Sequence, residues 1–256
     1  MQILALHGFT GCGSDFAPFA ELVGAQWHCP DLPGHAANSQ LPCKPADMID
    51  FIEHERHNKQ LQTAAPKILL GYSMGARAAL VHACQQPAAW DALILISANP
   101  GIADDAERVQ RRSTDAELAS SIESKGLSAF LEFWQQTPMI RSQKNIRSNW
   151  RTRMQANRGT HTTAGLARNL REFGQGSVPN LWPRLGKLSI PTLLITGQED
   201  TKYTQIARQI LAPLSASRKP AWKHAIIDSV GHAPHLEAPE FTASTIRQFL
   251  NNSLPQ

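Results

Sequence analysis

The chain has 256 residues, of which 42% are hydrophobic and 18% charged, and a formal net charge of +4 at pH 7. This length suits one α/β domain with a single core. The positive charge is spread thinly, with no run of five or more Lys and Arg, which argues against nucleic acid as a partner. No apolar run approaches the roughly 20 residues that span a bilayer, so we expect no membrane insertion.

Cysteine usage indicates a reducing compartment. The cysteines show no paired C-x-x-C spacing and no secretory leader beside them. We therefore expect free thiols and a cytoplasmic protein, with a disulfide pair as the minor alternative. The residues concerned are Cys12, Cys29, Cys43 and Cys84.

Strand and helix signals alternate along the chain and predict a mostly parallel sheet flanked by helices. The strands are expected at residues 3–6, 67–70, 92–97, 191–196 and 223–227. The first strand runs into His7-Gly8-Phe9-Thr10-Gly11, a loop at the edge of the sheet where such folds bind ligands. We expect His7 to brace this loop without a chemical role.

A nucleophile elbow is predicted at Gly71-Tyr72-Ser73-Met74-Gly75. An apolar strand leads into it, and a helical pattern at residues 76–84 follows it. The glycines on either side of Ser73 leave room where the backbone reverses, and the sharp turn exposes the serine hydroxyl. The alternative is an ordinary serine in a strand-loop-helix connection.

Residues 100–182 interrupt the alternation with helix-like sequence rich in Arg, Gln, Ser and Asn. This segment lies between two predicted strands, so it should cover the carboxyl ends of the sheet. We interpret it as a helical lid inserted into a core of residues 1–99 and 183–256, with a single domain overall. A packing excursion away from the site is the alternative.

A serine is a weak nucleophile or base until a histidine takes its proton, and that histidine needs an acid. Asp200 follows strand 191–196, and His232 follows strand 223–227. Ser73, Asp200 and His232 therefore appear in the chain order of the α/β-hydrolase fold. In this fold the backbone amides of Phe9 and Met74 would form the oxyanion hole.

Other assignments stay open. Glu199 is the neighbouring competitor for the acid, and Asp104 and Asp105 offer another position after strand 92–97. Asp200 would otherwise be a turn or helix-cap residue, and His232 a solvated loop histidine.

Together these motifs resemble one family, the menaquinone-pathway synthase that makes 2-succinyl-6-hydroxy-2,4-cyclohexadiene-1-carboxylate (MenH). The elbow and the His-Gly loop are common to the superfamily, whereas Arg77, the segment around Trp134 and the turn at residues 200–203 are more specific. The matching segments are Leu6-His7-Gly8-Phe9-Thr10-Gly11, Pro30-Asp31-Leu32-Pro33-Gly34-His35, Gly71-Tyr72-Ser73-Met74-Gly75-Ala76-Arg77, Pro100-Gly101-Ile102, Phe133-Trp134-Gln135-Gln136 with Pro138, Gly165-Leu166-Ala167, Leu170-Arg171, Leu181-Trp182 and Gly197-Gln198-Glu199-Asp200-Thr201-Lys202-Tyr203.

The resemblance implies a lyase that eliminates pyruvate from 2-succinyl-5-enolpyruvyl-6-hydroxy-3-cyclohexene-1-carboxylate without metal or organic cofactor. Its substrate carries several carboxylates, which the planar fork of arginine binds well. The mildly basic chain suits such an anionic small molecule. A monomer or small homo-oligomer is expected.

Arg77 lies one helical turn after Ser73, so its side chain can reach the mouth of the site. The resemblance implies carboxylate-binding roles for Arg111 and Arg158 and substrate-contacting walls from Tyr72 and Trp134. Each arginine could instead be a solvated surface residue, and Trp134 could be plain core. Nearby arginines compete for the lid positions, namely Arg112, Arg151 and Arg153.

The chain also departs from the family's pattern at residues that would shape the pocket. Ala76 follows the elbow glycine, and Ala36 follows His35, where many relatives have glycine; Gln135 replaces the tyrosine often found after the lid tryptophan. These departures bear on the substrate more than on the fold.

The same triad supports two chemistries. In the lyase, Ser73 would act as the base that removes a proton next to the succinyl carbonyl. A serine carboxylesterase or C–C bond hydrolase of the same fold would use Ser73 as the attacking nucleophile instead. A non-catalytic ligand-binding member of the fold is the third hypothesis, against which an intact triad argues.

Overall fold

A computed structural model of the protein describes residues 1–57, 65–213 and 222–254. In this part of the chain the strands form one six-stranded sheet of order β2-β1-β3-β4-β5-β6. Every neighbouring pair is parallel. The strands are β1 (Gln2–Leu6), β2 (Gln26–His28), β3 (Lys67–Tyr72), β4 (Ala92–Ile96), β5 (Thr192–Gly197) and β6 (Lys223–Ile227).

Helices connect the strands and pack on both faces of the sheet. They are α1 (Ala17–Val23), α2 (Pro45–Arg56), α3 (Met74–Ala83), α4 (Asp105–Lys125), α5 (Leu127–Gln136), α6 (Pro138–Arg141), α7 (Ser148–Arg158), α8 (Thr163–Phe173), α9 (Trp182–Leu185), α10 (Thr201–Leu211), α11 (Pro234–Glu237) and α12 (Pro239–Ser253). Every one of these described helices is too short or too polar to cross a bilayer.

The strands are apolar because both faces of the sheet are covered. Alternate residues of β1 enter different cores: Leu4 packs with α2, α3 and α10, whereas Ile3 packs with α1 and α12. Burial of these β-branched and leucine side chains on two sides is the main force that stabilises the sheet.

The predicted parallel sheet flanked by helices is confirmed, with small differences at element ends. β3 continues through Tyr72, two residues beyond the predicted strand, and α3 begins at Met74 rather than at residue 76. The edge strand β2, which has three residues and pairs only with β1 in the described sheet, was not predicted from the sequence. Three residues are too few to show the alternation that marks a strand.

Helices α4–α9 form a helical insertion (residues 105–185) between β4 and β5. It has an apolar cluster of its own, in which Ile122, Phe130 and Leu166 are buried between α4, α5 and α8. Phe9 and Trp134 pack against this cluster. The insertion is therefore joined to the core beside the loop that follows β1.

Candidate active site

Ser73 occupies the sharp turn between β3 and α3. Its φ of 52° and ψ of −107° are unusual for a residue with a side chain. A Cβ atom on Gly71 would lie 2.4 Å from the carbonyl oxygen of Gly75, and one on Gly75 would lie 2.0 Å from that of Leu6. Glycine is therefore required at both positions, and the turn directs Ser73 away from the sheet.

The side chains of Ser73, His232 and Asp200 form a hydrogen-bonded chain. The His232 Nε2 lies 2.9 Å from Ser73 Oγ, and His232 Nδ1 lies 2.5 Å from Asp200 Oδ2. In the neutral ring, Nδ1–H donates to the carboxylate, which leaves Nε2 free to accept the serine proton. This arrangement can generate a serine alkoxide.

Neighbouring groups orient both partners of Ser73. Asp200 caps α10, with Oδ1 accepting from the Tyr203 amide at 3.5 Å. Ser97 Oγ donates to the His232 carbonyl oxygen at 2.9 Å, and the Tyr203 ring lies edge-on to His232 at 4.5 Å. Ring and carboxylate are thus held from several sides.

The competing acids have other surroundings. Glu199 is exposed, and its backbone amide donates to the Val230 carbonyl. Asp104 caps α4 by accepting from the Glu107 amide at 2.7 Å. Asp105 pairs with Arg108 on the same helix. Of the four carboxylates considered, Asp200 is the one hydrogen-bonded to His232.

The two expected oxyanion donors flank Ser73. Met74 is the first residue of α3, and the first N–H groups of a helix have no intrahelical acceptor. Phe9 lines the same cavity as Ser73 and Met74. The preceding residue, Gly8, packs so closely that a Cβ there would meet the Tyr72 ring at 2.7 Å. His7 braces this loop by donating to the Gly8 carbonyl.

Arg77 is buried in the same cavity, with its guanidinium carbon 5.6 Å from the centre of the Phe173 ring and Asp115 acting on its charge only from beyond ion-pair distance. It is only 8% exposed, its Nη2 donates to the Phe173 carbonyl at 3.3 Å, and its Nε has no hydrogen-bond partner. Burial lowers the pKa of the guanidinium to about 10, so it stays charged at neutral pH. No carboxylate of the described residues forms an ion pair with it. A desolvated cation of this kind favours an anionic ligand.

The other two expected arginines already have partners. Arg111 lines the cavity, where it bonds Asp115 at 2.8 Å and Gln175 at 2.6 Å. Arg158 lines an adjoining cavity behind Tyr72, and its Nη2 donates to Gln143 at 2.6 Å. Arg158 also keeps a buried Nε without a partner.

The competing arginines donate hydrogen bonds to backbone carbonyls or are exposed to solvent. Arg112 is exposed and donates to the Gly176 carbonyl at 3.1 and 3.3 Å. Arg151 donates to the Lys144 carbonyl, and Arg153 is exposed. None of the three lines the cavity beside Ser73.

Aromatic side chains form the walls of the cavity. Trp134 lies edge-on to Phe9 at 5.5 Å and stacks on Phe130 at 5.7 Å, and its buried indole N–H has no acceptor. It is thus both a packing residue and a wall. The Tyr72 hydroxyl accepts from Gln143 at 3.4 Å, and its ring separates the two cavities.

The cavity beside Ser73 is small, about 50 Å³, which is the space of a few water molecules. An open cleft of about 500 Å³ lies on the other side of Met139 and Tyr203, and His232 also lines it. Met139 and Tyr203 line both spaces, so movement of these two side chains would join the cleft to the cavity beside Ser73. Across the described residues, no group of three or more His, Cys, Asp or Glu side chains is arranged to hold a metal ion.

A model of the alpha/beta hydrolase family matches residues 3–245. The chain belongs to the alpha/beta hydrolase family. A Bacillus subtilis protein provisionally named 2-succinyl-6-hydroxy-2,4-cyclohexadiene-1-carboxylate synthase is 30% identical, over 98% of this chain and 90% of the relative. The synthase of that name from Serratia proteamaculans is 29% identical, over 98% and 93%. The solved structure of MenH from S. aureus matches with a TM-score of 0.89 and 28% identity, over 99% and 94%.

Several side chains of this alpha/beta hydrolase site were missed by the sequence analysis. Gln175 donates to the Tyr203 hydroxyl at 2.8 Å and also holds Arg111, and Gln143 joins Arg158 to Tyr72. Tyr203 enters the family resemblance only as the last residue of the turn at residues 200–203. Its place in the turn after Asp200 is the one sequence signal that could have marked it.

Proposed function

We propose that this protein is a 2-succinyl-6-hydroxy-2,4-cyclohexadiene-1-carboxylate synthase of menaquinone biosynthesis. It would eliminate pyruvate from 2-succinyl-5-enolpyruvyl-6-hydroxy-3-cyclohexene-1-carboxylate. The names of its relatives support the product of this reaction, and the family resemblance of its motifs supports the substrate.

Buried Arg77 is the observation that carries the proposal. A guanidinium that is desolvated one helical turn from Ser73, without an ion-pairing carboxylate in the described structure, has a free-energy cost that a substrate carboxylate can offset. A neutral ester would leave that cost in place. The polar neighbours Arg111, Asn169 and Gln175 extend the preference for an anionic ligand.

The proposed reaction starts at Ser73. His232, oriented by Asp200, accepts the serine proton, and the alkoxide removes the proton next to the succinyl carbonyl. The carbonyl oxygen becomes an enolate, which the amides of Phe9 and Met74 stabilise. The electrons then expel the enolpyruvyl oxygen, and the leaving enolate becomes pyruvate when its methylene carbon takes up a proton.

In this proposal residues 100–182 are a lid over a core of residues 1–99 and 183–256. Arg111 and Arg158 would bind further carboxylates of the substrate, and Tyr72 and Trp134 would contact its ring. Arg111 already forms an ion pair with Asp115. Its contribution to substrate binding should therefore be smaller than that of Arg77.

A carboxylesterase or C–C bond hydrolase would use the same serine, histidine and aspartate. An apolar pocket would favour such an enzyme. The buried Arg77 guanidinium, whose Nε has no hydrogen-bond partner among the described residues, favours the lyase instead.

The decisive experiment measures pyruvate release from freshly generated enolpyruvyl substrate, coupled to NADH oxidation by lactate dehydrogenase. Hydrolysis of nitrophenyl acetate is measured beside it on the same preparation. We expect rapid pyruvate release and slow ester hydrolysis. Efficient ester hydrolysis with no pyruvate release would contradict the proposal and support the hydrolase.

A further inference from the structure

His161 lies between α7 and α8 and bonds two loops of the core. Its Nδ1 accepts from the Ala36 amide at 3.0 Å, and its Nε2 donates to the Thr10 carbonyl at 3.0 Å. Because an amide N–H can only donate, Nδ1 carries no proton and Nε2 carries it. Burial lowers the pKa of His161, which favours this neutral tautomer.

Both bonded residues have backbone conformations that L side chains disfavour. Thr10 has a φ of 63° and Ala36 a φ of 38°. Such conformations persist only where the surroundings hold them. The His161 ring supplies one hydrogen bond to each.

Thr10 directly follows Phe9, whose amide is a proposed oxyanion donor. The turn that carries this amide is closed by the Gly11 amide bonding to the Gly8 carbonyl at 3.0 Å. His7 bonds the Gly8 side of the turn, and His161 bonds the Thr10 side. The loop is therefore held from the core at one end and from the helical insertion at the other.

Packing fixes the orientation of the His161 ring. The His35 ring lies edge-on to it at 5.3 Å, and the same His35 ring contacts Phe9 at 5.6 Å. At the end of α7, Asn157 donates to Asp15 at 2.7 Å. The carboxyl end of α7 and the residues after it thus hold the amino-terminal loops at two places.

We propose that His161 is a positioning residue of the oxyanion hole: from the helical insertion it fixes Thr10 and Ala36, and thereby the Phe9 amide. The role of that amide rests on the proposed function. The bonding of the loop does not depend on it.

Two conservative variants separate the two hydrogen bonds. In His161→Gln the amide nitrogen reaches the position of Nε2 and can still donate to Thr10. In His161→Asn the amide oxygen takes the position of Nδ1 and keeps only the bond from Ala36. The matched control is His82→Gln, because His82 is fully buried and bonds Glu53 and Trp90 instead of the loop.

We expect His161→Asn to lower kcat by about tenfold to a hundredfold with little change in KM, because a displaced oxyanion donor is weakened only in the transition state. His161→Gln should keep kcat within about fivefold of wild type. Hydrogen exchange of the amides of residues 8–11 should be faster in the Asn variant than in wild type. The His82 control should lose thermal stability with kcat unchanged below its melting temperature.

The proposal requires both a kcat loss that glutamine restores and faster exchange at residues 8–11, and the absence of either overturns it. If the wild type hydrolyses nitrophenyl acetate but releases no pyruvate, the proposed function fails, and the same variants are compared on the ester. If it turns over neither substrate, the kcat criterion has no readout, and the exchange at residues 8–11 in His161→Asn alone supports or overturns the positioning of the loop by His161.

Discussion

The polar side chains of the site find their hydrogen-bond partners differently in two regions, the loops at the strand ends and the helical insertion. At the strand ends, Ser73, His232 and Asp200 are bonded to one another and need no ligand to take up this arrangement. In the insertion, Arg111 and Arg158 are held by local acidic and amide side chains and keep some capacity for further bonds. In the proposed function the loops at the strand ends would therefore supply the chemistry, and the insertion would adapt the site to a ligand.

The largest expected effect comes from removing the nucleophile or base itself. Ser73→Ala should lower kcat by about 10⁴-fold or more, since triad members act as a unit. Steady-state pyruvate release measures it, and thermal unfolding checks that the variant is folded. Near-normal turnover would mean that the bonded arrangement at the strand ends is not the catalytic one.

Asp200→Asn should reduce kcat by about 10³- to 10⁴-fold, because an amide at this position favours the wrong histidine tautomer. Glu199→Gln is the matched control, as Glu199 is adjacent but exposed. The two variants are compared under identical assay conditions. If Glu199→Gln is the more damaged, the acid has been assigned to the wrong residue.

Arg77→Ala tests whether the positive charge of Arg77 binds a carboxylate of the substrate. Loss of a buried cation that pairs with a carboxylate should lower kcat/KM on the enolpyruvyl substrate about thirty- to several thousand-fold. Hydrolysis of nitrophenyl acetate should hardly change, and Arg77→Lys should recover part of the loss. Arg112→Ala, on the exposed side of α4, should behave as wild type. Equal losses on both substrates would assign Arg77 a purely structural role.

The smallest expected effect concerns the free energy of unfolding in acid, and it depends on His235 of α11. Burial lowers the pKa of His235 to about 3, against about 6.5 in the unfolded chain. Between these values the unfolded state binds more protons, so stability falls as pH falls, by about 2 kcal/mol from pH 7 to pH 5 for this residue. Urea unfolding of His235→Phe should show a correspondingly weaker pH dependence. His54→Gln, at an exposed histidine of α2, should leave it unaltered.

That Ser73, Asp200 and His232 lie together was predictable because each follows an apolar strand. Parallel strands bring their carboxyl ends to one edge, so Ser73, Asp200 and His232 had to meet there. The short strand β2 and the glutamine contacts had no comparable signal. Gln175 bonds Arg111 and Tyr203, which are far away in the sequence, and nothing local marks such a pairing.

Two arginines of α4 show most clearly what could not be predicted from sequence periodicity. Arg111 and Arg112 are neighbours on α4, and helical periodicity does not distinguish them; only the family resemblance favoured Arg111. In the structure one lines the cavity and the other bonds a backbone carbonyl. Which side of α4 turns inward depends on its packing against α8, a contact between distant segments that periodicity alone does not fix.

The place of the insertion has a consequence for how the family can vary. β4 and β5 are hydrogen-bonded neighbours, although the whole insertion lies between them in the chain. The entropy cost of closing a flexible loop grows only with the logarithm of its length, by about 0.6 kcal/mol for each doubling. Adding residues between the helices at this gap would therefore change the free energy of pairing β4 with β5 very little, provided that the existing helices keep their contacts with the core.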